Sequence, residues 1–136
     1  MNKMVAINYG ESPKRKKLTK TERQAVYDKC GGHCAYCGCE LAFKDMQADH
    51  VVSLYWHNGA DNISNMLPAC RSCNHYKGTS TLENFRKHIE RFPQVLMRDN
   101  VTYKNAVRFK LVVPNPHKVV FYFEELGIEI PEQLKG

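Results

Sequence analysis

The 136-residue chain has the length of one domain and a 43% hydrophobic content, enough for a modest core and too much for a disordered polypeptide. Its formal charge of +6 and pI near 9.0 suit a polyanionic partner. The longest apolar run, Val119 to Phe123, is too short to cross a bilayer, so no membrane partner is expected. The first dozen residues lack an apolar stretch of signal-peptide length. The expectation is a cytoplasmic protein, in which paired cysteines serve as metal ligands rather than disulfides.

In chain order, residues 1–17 form a basic N-terminal arm containing Lys14-Arg15-Lys16-Lys17. An amphipathic helix is predicted from Thr19 or Thr21 to Cys30, stopped by Gly31-Gly32, with Ala25, Val26, Tyr27 and Cys30 as its buried stripe. A tight cysteine- and glycine-rich turn covers His33 to Cys39. Leu41–Phe43 and Met46–His50 read as two short strands of a hairpin turning through Lys44-Asp45, and Leu54–Ser64 as a surface loop. Asn65 leads through Met66-Leu67 into a second cysteine turn, after which Ser72 or Cys73 starts a short helix. Ser80-Thr81-Leu82-Glu83 has the spacing of a capping box and opens a helix to about Arg91, ended by Phe92-Pro93. Asn100 to Lys110 reads as a further helix and Lys118 to Glu124 as a strand. The organisation expected is an arm at 1–17, a main domain at 18–92 and an extension at 93–136 packed on that domain, with Phe109 to Phe123 as the extension's core.

Cys34-Ala-Tyr-Cys37 and Cys70-Arg-Ser-Cys73 are two CxxC knuckles separated by 32 residues. Two residues between cysteines let both thiolates reach one ion, and two knuckles complete a tetrahedral Cys₄ shell. Such a shell has no open position, so its zinc is structural, and its binding energy is folding energy. A redox pair or four buried thiols would not account for the motif occurring twice. The insert exceeds the roughly 15–20 residues of a simple zinc ribbon, so something is built inside it. Cys30 and Cys39 remain, and packing is their expected role.

The insert contains Asp49-His50. Hydrolysis of a phosphodiester needs a base to activate water and a cation to stabilise charge on the phosphate. Histidine suits the first task near neutral pH, and carboxylate and amide oxygens suit Mg²⁺ or Mn²⁺. Neighbouring residues on a strand face opposite sides, so a distortion is needed for Asp49 and His50 to address one space.

Taken together, Cys34-Ala-Tyr-Cys37-Gly38, then Ala48-Asp49-His50-Val51-Val52, then Asn65 through Cys70-Arg-Ser-Cys73-Asn74-His-Tyr-Lys77-Gly78 resembles the HNH endonuclease family. More narrowly, it resembles the subgroup with two zinc knuckles and an asparagine as third motif residue. The resemblance covers roughly residues 21–90. It implies an α+β fold: a ββα-metal, or His-Me, finger with a structural Cys₄ zinc site, flanking helices and a small C-terminal α/β extension.

It further implies a metal-dependent DNA endonuclease in which His50 is the general base. Asp49 and Asn74 would hold a catalytic Mg²⁺ or Mn²⁺, and Asn65 would brace the loop behind the base. Cleavage would leave a 5′-phosphate and a 3′-hydroxyl. His75 competes with Asn74 for the third position. Lys77 and Arg71, with Arg86 nearby, are candidate phosphate contacts, while Tyr55, Trp56 and His57 could touch substrate from the loop. His33, His88 and His117 have no paired ligand and read as surface or packing residues. The expected partner is DNA, double-stranded, bound by a monomer or homodimer of phage or mobile-element type. The alternatives are a zinc-stapled DNA-binding module without catalysis and a nuclease resolving branched DNA.

Overall fold

The computed structural model describes residues 16–54 and 59–131. Most of the basic arm and the residues Tyr55, Trp56 and His57 therefore lie outside the described residues. Helix α1 (Lys20–Asp28) starts at Thr19, not Thr21. Thr19 Oγ1 accepts from the Glu22 amide at 3.1 Å, and the Glu22 carboxylate accepts from the Thr19 amide at 3.0 Å. Together they satisfy two of the donors that a helix start leaves open. Val26 and the following Cys30 are buried, but Ala25 is exposed, so the buried stripe is narrower than expected.

The predicted hairpin is corrected. Leu41–Phe43 is not a strand: Leu41 closes the first cysteine loop through its amide to Gly32 O (2.9 Å), and Phe43–Asp45 is a 3-10 turn. Strand β1 (Gln47–His50) pairs instead with β2 (Met66–Ala69), antiparallel, in the register Gln47 with Ala69 through His50 with Met66. Residues 51–65 connect the two strands. Pro68 has no amide to give the ladder, yet its carbonyl accepts from the Ala35 amide at 2.8 Å, tying the first knuckle to the sheet.

Helix α2 (Arg71–Lys77) starts directly on Cys70. Helix α3 (Leu82–Glu90) is capped by Thr81, one residue later than the sequence suggested. Ser80 is occupied elsewhere, its hydroxyl donating to the last carbonyl of α2, Lys77 O. Phe92-Pro93 does not end the helical region. It opens α4 (Phe92–Asp99), because a proline in the first turn lacks only an amide that had no partner there. Helix α5 (Val101–Arg108), read from the sequence as Asn100 to Lys110, follows, and Asn100 is its N-cap.

The C-terminal apolar run is the second correction. Lys118–Glu124 forms no strand; a single helical turn, α6 (Tyr122–Glu125), begins in it. Its backbone bonds go to the first knuckle, Tyr122 N to Tyr36 O (3.1 Å) and Phe123 N to Ala35 O (2.8 Å). Phe121 and Phe123 are buried, whereas Phe109, Leu111 and Val113 are at least three-quarters exposed, so the expected core of the extension is only its last part.

Two apolar clusters result. One gathers Tyr36, Leu67, Leu82, Phe85, Phe121 and Phe123 around Cys30 and Cys34; the other gathers Val26, Leu41, Met46 and Met66. Arg86 fastens the C-terminal segment to α3. It meets the Glu83 and Glu124 carboxylates, donates to Val119 O at 2.8 Å, and lies 4.5 Å from the Phe121 ring centre. Those contacts engage the guanidinium that the sequence offered as a possible phosphate contact. No helix among the described residues is long and apolar enough to cross a membrane.

Candidate active site

The four cysteines converge. The sulfurs of Cys34, Cys37, Cys70 and Cys73 all lie within 4.8 Å of one another, with Cys37 and Cys70 at 3.9 Å. A tetrahedral ion with Zn–S bonds of about 2.3 Å places its sulfurs about 3.8 Å apart, so the cluster fits zinc. The second knuckle is held by α2, whose N-cap is Cys70; its sulfur accepts from the Cys73 amide. The hydrogen bond between Cys34 and Cys73 lowers the Cys34 thiol and raises that of Cys73, with backbone donors also favouring the Cys34 thiolate. Cys30 is buried, and that burial pushes its thiol up to about 11, as suits a packing cysteine. Cys39 departs from the packing expectation: it is exposed.

The cysteine cluster lies beside a second centre formed by the β1–β2 pair and α2. Asp49, His50 and Asn74 line one cavity of about 200 Å³ with Ala48, Ser53, Leu54, Gly78 and Thr79. Asp49 and His50 share it because β1 ends at His50, where the chain bends away. Asn74 lines the cavity, and His75, exposed and packed edge-on to Tyr76, does not.

Asp49 is 4% exposed and doubly held. The Tyr36 hydroxyl donates to Oδ2 at 2.5 Å, and Lys77 Nζ is 3.1 Å from Oδ2 and 3.4 Å from Oδ1. Burial pushes the Asp49 carboxyl up, against the pull of the Lys77 ammonium and the Tyr36 hydrogen bond. Burial, and then the adjacent Asp49, push the Tyr36 phenol well above its ordinary value, so it stays a donor.

Lys77, expected at the DNA surface, is instead 1% exposed, and its ammonium also donates to His50 O at 2.9 Å. The reason is helical spacing. Positions 70, 73 and 77 fall on one face, so the face that carries the cysteines inward carries the lysine inward too. Arg71 is exposed.

His50 Nε2 lies 2.9 Å from Asp61 Oδ1. An ionised carboxylate only accepts, so the proton of a neutral ring resides on Nε2, and the Nδ1 lone pair has no hydrogen-bond partner among the described residues. The backbone amide of Lys16 donates to the other Asp61 oxygen at 2.6 Å; that bond, followed by the one to His50, holds the Asp61 carboxyl below its usual range. Asp61 escaped the sequence reading because it lies in a polar loop with no motif around it.

Gln47 was also missed. Its Oε1 accepts from Asn74 Nδ2 at 2.6 Å, which leaves the Asn74 carbonyl oxygen as the free donor atom. Alternation along β1, which puts Gln47 two residues from Asp49, was the available signal.

Asn65 is 1% exposed, and among the described residues its side chain binds backbone only. Oδ1 accepts from the Val52 amide at 3.0 Å, while Nδ2 donates to Val52 O at 3.0 Å and Ala60 O at 2.8 Å. The loop beyond His50 is thereby closed on itself. Gly59 permits the closure: a Cβ there would meet Val52 O at 1.8 Å and Asn65 Nδ2 at 2.9 Å.

Residues 34–80 match the family profile described as HNH endonuclease. The chain is 32% identical over 94 residues to the "SPbeta prophage-derived putative HNH endonuclease YoqL" of Bacillus subtilis (strain 168), covering 62% of this chain and 41% of that protein. It is 29% identical over 55 residues to the CRISPR-associated endonuclease Cas9 of Corynebacterium diphtheriae, covering 40% of this chain and 5% of that one. Among solved structures it is similar to the Type II-C Cas9 enzyme from Actinomyces naeslundii, with a TM-score of 0.47 and 21% identity over 64% of this chain and 10% of the other. The chain thus spans less than half the length of the curated relatives it matches.

Proposed function

We propose that this chain, whose residues 34–80 match the HNH endonuclease profile, is a metal-dependent endonuclease that hydrolyses phosphodiester bonds in double-stranded DNA. One observation carries the reading: a carboxylate, an imidazole with an open nitrogen and an amide oxygen surround one small cavity beside the cysteine cluster. A zinc-stapled binding module needs the cysteines but has no use for the His50–Asp61 pair or the Asn74–Gln47 pair.

In this reading Asp49 and the Asn74 carbonyl would hold Mg²⁺ or Mn²⁺, which when bound would supply positive charge to offset the negative charge developing in phosphodiester hydrolysis. His50 Nδ1 takes the proton from the attacking water, and Asp61 holds the ring in the tautomer that allows it while stabilising the imidazolium that forms. Asn65 keeps the loop after His50 in place. Arg71 contacts phosphate from the start of α2. The basic arm, 1–17, adds charge that makes DNA affinity fall with salt. The C-terminal residues 93–136 belong to the same unit as 18–92.

Purified protein incubated with supercoiled plasmid should convert it to nicked or linear DNA with Mg²⁺ or Mn²⁺ and leave it intact in EDTA. A protein that retards DNA but leaves it supercoiled with every divalent ion would be the binding module. Asp61→Asn tests the arrangement at the base. An amide can donate to Nε2 and draw the ring into the opposite tautomer. Nicking should therefore slow by about 10- to 100-fold, with DNA affinity unchanged. An undiminished rate would remove Asp61 from the mechanism.

A further inference from the structure

Tyr36 is the third residue of the first cysteine knuckle, yet its hydroxyl ends on the carboxylate assigned above to the catalytic ion. The ring cannot move to another acceptor. Phe85 and Phe121 meet it edge-on with centroids at 5.3 Å, and Phe123 does so at 6.3 Å. The backbone on either side is pinned as well, Ala35 N to Pro68 O at 2.8 Å and Tyr122 N to Tyr36 O at 3.1 Å. With the residue 4% exposed, no bulk water competes for the hydroxyl.

The opposite hold on Asp49 comes from Lys77, on the helix that starts at the second knuckle. Each knuckle thus delivers one donor to the same carboxylate. An aspartate has two side-chain torsions, and two donors from separate, rigid elements leave neither free. Donors behind a metal-binding carboxylate orient it and strengthen its hold on the ion.

We propose that Tyr36 is a positioning residue for Asp49, fixing the carboxylate so that it presents an oxygen to a divalent cation in the cavity. The cysteine cluster and the C-terminal aromatic segment act on that cation site through it. The inference rests on Asp49 being a ligand of the catalytic ion. It also provides a role for Phe121 and Phe123, which wall in the ring.

Tyr36→Phe removes the hydroxyl and keeps the ring. Three measurements on the full chain decide the matter: zinc content, Mn²⁺ affinity from the free-ion signal in electron paramagnetic resonance, and the Mg²⁺ dependence of plasmid nicking. The variant should keep one zinc per chain and bind Mn²⁺ about 10-fold more weakly. Its half-saturating Mg²⁺ should rise by a similar factor, with the rate at saturating Mg²⁺ within about twofold of wild type.

Asp49→Asn serves as the reference and should lose most Mn²⁺ binding. If Tyr36→Phe binds Mn²⁺ like wild type while Asp49→Asn does not, Tyr36 is only a satisfied core tyrosine and the proposal is overturned. Loss of zinc from Tyr36→Phe would also overturn it, by making the hydroxyl a folding element. If Asp49→Asn itself binds Mn²⁺ as tightly as wild type, the premise about Asp49 fails, a result separable from the other two.

Discussion

Replacing His50 with alanine should lower the rate of metal-dependent nicking by about 10² to 10⁴-fold, the range contributed by a positioned general base. Zinc content should stay at one per chain, and affinity for an uncut duplex should stay within about twofold. His50 is not part of either apolar cluster, and its ring bond is to Asp61 in the connecting loop. Excess Mg²⁺ should not restore the rate, because a metal ion cannot take the place of a proton acceptor. Asp49→Asn behaves oppositely in this respect, with a loss that high metal partly recovers.

The substitution at 49 has to be asparagine. Asparagine, though neutral, keeps an oxygen that can accept from the fully buried Lys77 ammonium; alanine would leave that ammonium with neither counter-ion nor side-chain acceptor at 49, and leaving one partner of a buried pair alone typically costs about 3–5 kcal/mol. Single-turnover nicking of plasmid over a range of Mg²⁺ concentrations distinguishes these outcomes. Wild-type nicking by His50→Ala would retain the nuclease and reject His50 as its base.

Removal of a zinc ligand should have the largest effect on the molecule itself. Structural zinc sites of this kind contribute on the order of 10–16 kcal/mol of apparent binding energy, about the whole stability of a small domain. Cys70→Ala loses one ligand and the N-cap of α2 together, since the same sulfur accepts from the Cys73 amide. The variant should purify without zinc and show no cooperative thermal transition by circular dichroism. Chelation of wild type should do the same.

Cys30→Ala and Cys39→Ala should keep the metal. The first should melt lower, because Cys30 is buried in the cluster around Tyr36. The second should melt close to wild type, because Cys39 is exposed. Full zinc retention by Cys70→Ala, measured by elemental analysis, would contradict the four-cysteine assignment.

The contrast between these two centres follows what sequence alone can carry. Cysteine is rare, its pairing at CxxC spacing is dictated by the reach of two thiolates to one ion, and each knuckle is local. Cys34, Cys37, Cys70 and Cys73 were therefore legible as a cluster before any fold was known. The same holds for α1, whose Thr19 and Glu22 cap each other within one turn, and for α5 behind Asn100. Local chemistry settled those elements.

The tertiary structure decided what depended on distant partners. β1 pairs with Met66–Ala69 rather than Leu41–Phe43, in a fold where the cysteine cluster holds the second knuckle, and the strand leading into it, beside the first. Val119 to Phe123 has the composition of a strand but finds the knuckle backbone rather than a sheet edge, so it turns into α6 with two phenylalanines inward. A lysine in the last turn of α2 is by composition a surface charge. It became the buried counter-ion of Asp49 because the helix face that carries Cys70 and Cys73 to the ion carries position 77 to the same side. Asp61 reaches His50 across a loop that Asn65 ties shut, a contact no local pattern encodes. Residue chemistry and short spacing thus determined the metal cluster and the candidate reacting groups. Long-range packing alone determined the partners that hold each of those groups in a working orientation.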